Sequence, residues 1–477
     1  MSIRFFYSSF RALVVILISS NIISCGHSSS GNDLLLLTEI PASFSEPDYL
    51  TGVTSRYFPE ARISSVVMGK KDSHRILTDD FYSACWPDVS FDGKSMIFTA
   101  QKEEGDSWQI WEMNLNNRKY RKITSFKDNC TDPCYLPGGM LAFSKLTVND
   151  TVKCAHCIFT CNLDGTGLRQ ITYSPGDNYS TTVLKDGRIL TVNQQLLPDH
   201  GDPMFVVMRP DGTKADLFYM SSSGSKFFSC PRETFDGRIV FIESEKTNPL
   251  AGSIVSISYN RPLHSRVELA SSLNGDFYSV LPLKSGKYLA TGAMLEEELI
   301  SLYEIDPVNK TAGNVVYADR EFNVLEAVMA APYNRPKKLP SEVDLLVKTG
   351  LLLCQDVNFM GIESGMNDPS HPKAAMIEVL GIDSTYGVVP LEDDGSFQLK
   401  VLSDKPFRIR SLDADGRVLH GPCTWLWLRP NERRGCVGCH EDPETVPVNR
   451  IPLAVKKQPV LIPVNITEIK EKVVELE

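Results

Sequence analysis

The feature that most limits how this 477-residue chain can fold is a repeat. The octapeptide Phe91-Asp92-Gly93-Lys94-Ser95-Met96-Ile97-Phe98 returns as Lys185-Asp186-Gly187-Arg188-Ile189-Leu190 and as Phe235-Asp236-Gly237-Arg238-Ile239-Val240-Phe241. Weaker copies are Gly138-Gly139-Met140-Leu141-Ala142-Phe143 and Ser285-Gly286-Lys287-Tyr288-Leu289-Ala290. Each is a turn pair followed by an apolar strand. A second strand follows in several units, for example Gln109-Ile110-Trp111-Glu112-Met113 and Ile158-Phe159-Thr160-Cys161. The spacing, roughly 46 to 50 residues, is that of a propeller blade, in which each four-stranded unit covers its neighbour's apolar face. The expected fold class is therefore all-β, with an N-terminal six- (or seven-) bladed β-propeller. Five units lie within about 83–319, and a sixth, built from 322–355 together with 34–80, would close the ring. A β-sandwich with chance spacing is the alternative, and five registered copies argue against it.

The start of the chain reads as an export signal. Arg4 and Arg11 precede an apolar run at 12–18 that is too short to span a bilayer unaided. Ile22-Ile23-Ser24-Cys25-Gly26 then resembles the bacterial lipobox, which implies cleavage before Cys25 and lipid on that cysteine. An ordinary signal peptide with Cys25 near the cut is the other reading. The expected layout is a lipoprotein signal peptide at 1–24, a Gly/Ser tether at 25–33 and attachment to the lipid membrane through Cys25. That places the protein in the cell envelope, on the periplasmic side or at the outer membrane. A formal charge of -10 argues against a nucleic-acid partner.

Twelve cysteines need an account. Cys85, Cys130, Cys134 and Cys230 recur just before the glycine turns, a phase expected to be the innermost strand of each blade. Cys154, Cys157 and Cys161, with His156, sit further along one unit. A thiolate–imidazole metal site at the channel mouth is one reading. Disulfides or small buried thiols are the plainer one, and strand alternation, which puts Cys154 and Cys157 on opposite faces, favours it.

A Pro-rich connector, Ala331-Pro332-Tyr333-Asn334-Arg335-Pro336-Lys337-Lys338-Leu339-Pro340, ends the repeat region. Short strands are expected at 375–381, 396–401 and 407–412, with turns at Asp393-Asp394-Gly395 and Asp413-Ala414-Asp415-Gly416. Trp425 and Trp427 alternate with Leu426 and Leu428, so both indoles share one face of an extended segment. That face is a candidate haem wall or a small core. Arg429, Arg433 and Arg434 are candidate partners for haem propionates. Then comes Cys436-Val437-Gly438-Cys439-His440, the C-x-x-C-H of c-type haem attachment. Two thiols reach the two vinyl groups at one edge of the porphyrin, and the following imidazole ligates the iron. Half a zinc site or a simple Cys436–Cys439 disulfide are the alternatives. The tail at 456–477 carries a weak amphipathic pattern at Ile469, Val473 and Leu476.

Two stretches carry resemblances. Pro87-Asp88-Val89-Ser90-Phe91-Asp92-Gly93-Lys94 resembles the strand-turn signature of Tol-system propellers. Val389-Pro390-Leu391-Glu392-Asp393-Asp394-Gly395-Ser396-Phe397, Ser411-Leu412-Asp413-Ala414-Asp415-Gly416-Arg417 and the run from Trp427 to Glu441 resemble the hydrazine synthase alpha subunit family. That resemblance implies a propeller (34–360) followed by a β-rich middle domain (361–455) that holds one covalent haem c. The family's enzyme subunit carries a second haem further on and ligates its middle-domain haem through a Tyr after the motif, whose His can bind zinc. This sequence holds one C-x-x-C-H and has no Tyr after Tyr386. His440 is thus the expected iron ligand, and the family's own reaction is not expected to carry over.

The expected protein is an exported, membrane-anchored c-type cytochrome with a redox protein partner. It would carry electrons, or act as a haem-dependent oxidoreductase on a small nitrogen or oxygen species. His420, Met376, Met366 and His371 are candidate sixth ligands to the iron, and an open position is the expected state. The alternative from a different class is a haem-free propeller lipoprotein that serves as a binding or interaction platform.

Overall fold

A computed structural model describes residues 33–44, 56–70, 72–147, 155–221, 225–227, 229–244, 250–271, 273, 275–294, 299–359, 372–438, 444 and 449–463. It is all-β. Among the described residues no helix is long and apolar enough to cross a membrane.

The repeat folds into four-stranded antiparallel units. The second comprises Ser83–Val89, Ser95–Gln101, Gln109–Asn114 and Tyr120–Lys122. The third comprises Cys130–Leu136, Met140–Thr147, Ala155–Asn162 and Arg169–Gln170. The fourth is Gly176–Val183, Ile189–Gln195, Met204–Met208 and Asp216–Met220. The fifth and sixth, beginning at Arg232–Glu233 and Gly275–Pro282, merge into one eight-stranded sheet through the pairing of Gly252 with Phe277. The first unit is assembled from both ends of this region. Phe322–Met329 pairs with Leu34–Pro41, which pairs with Arg62–Val67 and so on to Arg75–Ile76.

Apolar residues fill the gaps between successive units in a cycle. Leu36 and Ile63 of the first unit meet Met96 and Phe98 of the second. Ile97 and Ile110 meet Leu141 and Phe143 of the third, and Ile158 meets Ile189 and Met208 of the fourth. Phe205 of the fourth packs on Phe241 of the fifth, and Ile242 and Ile254 of the fifth pack on Phe277 and Ala290. Leu289 and Leu302 of the sixth return to Leu35, Leu37 and Val324 of the first. Strand alternation explains this: Ile97 and Phe98, or Val240 and Phe241, are neighbours on one strand and serve opposite gaps. The arrangement is propeller-like, and no individual sheet closes on itself.

The chain then crosses the turn ends of the second to fourth units. Gly187, at φ +92, lies so close to the connector that a Cβ there would sit 2.1 Å from the Lys337 carbonyl oxygen, which explains glycine in that turn. Two further four-stranded sheets form a small sandwich. One runs Arg433–Cys436, Thr349–Cys354, Phe397–Leu402, Val460–Ile462, its outer pairs parallel. The other runs Thr385–Pro390, Met376–Leu380, Arg408–Leu412, Val418–His420. Leu352, Ile377, Val379, Leu399, Phe407, Ile409 and Leu428 form its core. The strand Thr349–Cys354 belongs to this sandwich and not to the closing blade, so the division between sheets falls in the connector and not at residue 360. Its apolar residues are read equally well as a blade strand, and only the pairing partner separates the two.

Candidate functional site

The strand Arg433–Cys436 brings the first motif cysteine to the edge of the sandwich, where Cys436 pairs in parallel register with the buried Cys354. Pairing continues past the strand, with Gln355 N donating to Cys436 O (3.0 Å) and Asp356 N to Val437 O (3.2 Å). Gly438 then passes so close to Phe359 that a Cβ would lie 2.1 Å from its carbonyl oxygen, whereas Gly435 has open space at that position. Beyond the motif, Glu444 returns to the propeller-like unit, accepting from Leu263 N (2.9 Å) and Arg261 Nε (3.2 Å). Arg450 then clips the chain back to the sandwich through Gln355 O (2.8 Å), Asp394 O (3.0 Å) and the Asp356 carboxylate (3.2 Å). Both ends of the motif segment are therefore anchored. Cys439 and His440 themselves lie outside the described residues, as do Cys25, Cys154, Met366 and His371.

Just before the motif, the segment 425–434 bolts the two units together. Trp427 is buried between the third and fourth units, beside Ile171, Met208 and Ala215. Trp425 Nε1 donates to Leu197 O (2.7 Å). Arg429 donates to Asp211 O (2.9 Å) and pairs with Asp404 (2.6 Å). The Glu432 carboxylate, 1% exposed, accepts from Arg429 N (2.7 Å), Lys214 N (2.8 Å) and the Arg434 guanidinium (2.7 Å). The shared face of Trp425 and Trp427 is real, but its partner is the propeller-like unit. Of the three candidate propionate partners, Arg429 and Arg434 are committed to Asp404 and Glu432, and only Arg433 is exposed. His420 and Met376 sit in the other sheet of the sandwich, paired with Ser411 and Leu412.

The cysteines of the repeat are core residues. Cys85, Cys130, Cys134, Cys157, Cys161 and Cys230 are free thiols. Burial pushes Cys130 and Cys161 up to about 12 and raises Cys85 and Cys134 well above the usual thiol range, which leaves them protonated and unreactive. No cluster of His, Cys, Asp and Glu able to hold a metal ion is present among the described residues.

His156 has a different role. Its Nδ1 meets Asp177 Oδ1 (2.8 Å) and its Nε2 meets the Tyr57 hydroxyl (2.9 Å). The adjacent Arg56, fully buried, forms a two-point ion pair with Asp132 (3.0 and 2.5 Å) and lies 4.0 Å over Trp86. Arg56-Tyr57-Phe58 thus packs against residues of the second, third and fourth units, unnoticed in the sequence because it belongs to no repeat. A signal did exist. Trp86, Asp132 and Ser180 all take left-handed φ (55°, 49° and 52°), and each lies at the same phase before its turn glycine. Such strain marks places where the surroundings over-determine the backbone. Here the Asp132 carboxylate receives Arg56 and Ser180 N (2.9 Å).

Residues 358–441 match the family described as hydrazine synthase alpha subunit middle domain. The hydrazine synthase subunit alpha of Kuenenia stuttgartiensis is 23% identical over 512 residues, covering 80% of this chain and 63% of the relative. The chain therefore spans less than two thirds of that relative's length. The solved structure of Kuenenia stuttgartiensis hydrazine synthase superposes with a TM-score of 0.77 at 20% identity, over 89% of this chain and 71% of that one, so the fold is shared. TolB from Acinetobacter baumannii aligns over 63% of this chain and 67% of its own at 12% identity and a TM-score of 0.43. At the level of family, the chain is homologous to the hydrazine synthase alpha subunit.

Proposed function

We propose that this relative of the hydrazine synthase alpha subunit is a cell-envelope binding platform, a six-bladed propeller that carries a β-sandwich in fixed orientation and presents it to protein partners. The observation that carries this reading is the buried bolt at 425–434, which gives the sandwich no freedom to swing. Its solved relative is a subunit by name, which fits a role within an assembly. Cross-linking in the native host, followed by mass determination, tests it. An assembly heavier than the single chain is expected, and a species at the single-chain mass refutes the platform reading. Attachment through a lipid on Cys25 belongs to the same proposal. Cys25→Ser is expected to release the protein from membranes, and full retention shows that the anchor lies elsewhere.

A second reading adds one covalent haem c, favoured by a specific observation: the family match ends on the intact C-x-x-C-H, whose flanks are held at Cys436 and Glu444. The donor set fits the group. Cys436 and Cys439 would form the thioethers and His440 would ligate the iron. When bound, such a haem supplies one-electron transfer or a site for a small ligand at iron. The chain's own part is to hold the attachment strand against Thr349–Cys354 and to leave space beside Gly435. A pyridine haemochrome spectrum of protein matured in a cytochrome-competent host decides between the two. A haem c spectrum is expected, and its absence leaves the haem-free platform. Rapid carbon monoxide binding to the ferrous protein is the expected sign of an open sixth position, and a low-spin spectrum lost in His420→Ala refutes it.

A further inference from the structure

The strand Arg433–Cys436 has a cysteine from outside the motif at its side. It pairs in parallel with Thr349–Cys354, Leu352 against Arg434 and Cys354 against Cys436, so the two cysteines stand directly opposite each other. Residues opposite each other across a ladder project to the same face of the sheet. Burial agrees with this. Along Thr349–Cys354 the buried residues are Gly350, Leu352 and Cys354, and along Arg433–Cys436 the exposed ones are Arg433 and Gly435. Cys354 is 2% exposed in the core of the sandwich, and the half-buried Cys436 packs against that same core.

Neighbouring strands run about 4.8 Å apart, inside the range of about 4.4–6.8 Å that a disulfide spans between its Cα atoms and below its usual spacing of about 5.5–6 Å. A bond at the short end of that range is strained and therefore reducible, which is the property of regulatory disulfides and not of structural ones. Another cysteine of this core, Cys423, is tied to the opposite sheet. Its Sγ accepts from Ile409 N (3.2 Å) and its own N donates to Ile409 O (2.9 Å). Reagents reach the pair from the side of Cys436, where Gly435 leaves open space.

We infer that Cys354 and Cys436 are a redox pair, two thiols in one state and a disulfide across the attachment strand in the other. The oxidant is a small or protein disulfide, for which oxidised glutathione stands. The thiolate of Cys436, the more exposed residue, attacks it, forms a mixed disulfide and releases one glutathione thiol. Cys354 then attacks the Cys436 sulfur and releases the second. The two protein thiols give up two protons and two electrons, and one glutathione disulfide becomes two thiols. The oxidised state staples the edge strand to the sandwich. It also withholds the Cys436 sulfur from a thioether; this consequence rests on the haem reading above, and the disulfide itself does not.

The full-length chain, made without haem maturation, is equilibrated in glutathione buffers from reducing to oxidising. It is then alkylated in denaturant, digested without reductant and analysed by mass spectrometry. Oxidising buffers are expected to give a linked pair of peptides that carry Cys354 and Cys436, lighter than their sum by two hydrogens and lost on reduction. The link should persist in Cys439→Ser and vanish in Cys354→Ser, with circular dichroism confirming that each variant is folded. Cys436 linked to any other cysteine, or Cys354 alkylated in every buffer, overturns the inference. In haem-loaded protein, one alkyl label is expected on Cys354, because Cys436 is then engaged elsewhere. A chain that never acquires haem defeats only the haem reading, since the linked pair is read on haem-free protein.

Discussion

Replacing Glu432 with alanine should loosen the strand that carries Cys436 from the propeller-like unit. The carboxylate is 1% exposed and accepts two backbone N–H groups, from Arg429 (2.7 Å) and Lys214 (2.8 Å). It also takes both Nε (3.0 Å) and Nη2 (2.7 Å) of Arg434, whose side chain is 12% exposed. Each orphaned N–H costs about 1–3 kcal/mol, with the lower end fitting Lys214, an exposed residue. Stranding a buried charge by deleting its partner costs about 3–5 kcal/mol in all. The two routes converge on about 4 kcal/mol for Glu432→Ala. Glu432→Gln keeps one oxygen acceptor and loses the charge, so about half that loss is expected. Because the pair is buried, added salt should change neither value much. Urea unfolding of the full chain by tryptophan fluorescence reads the loss, since Trp425 and Trp427 report the docked interface. Hydrogen exchange should accelerate at Lys214 and at 433–436 before it does in the blade cores. A loss under about 1 kcal/mol, or uniform acceleration throughout, would refute the clamp.

Three further outcomes are expected. Burial pushes the Asp88 carboxyl up to about 6, against about 3.9 for a free aspartate, so folding favours its protonated form. That stabilisation is complete below about pH 4 and is lost as the pH rises through about 6, an effect of about 3 kcal/mol that Asp88→Asn should abolish in a pH series of urea midpoints. Tyr57→Phe removes the hydroxyl held 2.9 Å from His156 Nε2 and should cost about 1 kcal/mol, and an unchanged midpoint would show that the contact contributes nothing. Trp427→Ala empties a site between the third and fourth units and should cost about 3–5 kcal/mol, with protease sensitivity appearing at the connector, and a stable, resistant variant would count against the docking.

Much of the fold is written locally. A turn glycine followed by an alternating strand is a short-range signal, and its return at blade spacing makes the repeating unit readable, whereas the closing unit depends on the distant pairing of Leu34–Pro41 with Phe322–Met329. Alternation likewise puts Trp425 and Trp427 on one face and Leu426 and Leu428 on the other, as their burial against the propeller-like unit and the sandwich core shows. The C-x-x-C-H spacing is equally local, so the proposed attachment rests on five residues.

What covers a face is not local. Trp427 reads the same whether a cofactor or a blade lies against it, and only the docking of the sandwich names Ile171 and Met208 as its neighbours. Thr349–Cys354 is an apolar strand in any setting, and its partners Phe397–Leu402 and Arg433–Cys436 come from 40 to 80 residues away along the chain, at roughly that separation. The pairing of Arg56 with Asp132, 76 positions apart, and of His156 with Tyr57, 99 apart, has no periodic trace. The sequence by itself determined the repeating unit, the alternating faces and the haem-type spacing, because each depends on neighbours within a few residues. The tertiary structure alone decided which buried charges meet and which arginines are already committed, because those depend on chain segments that no spacing rule connects.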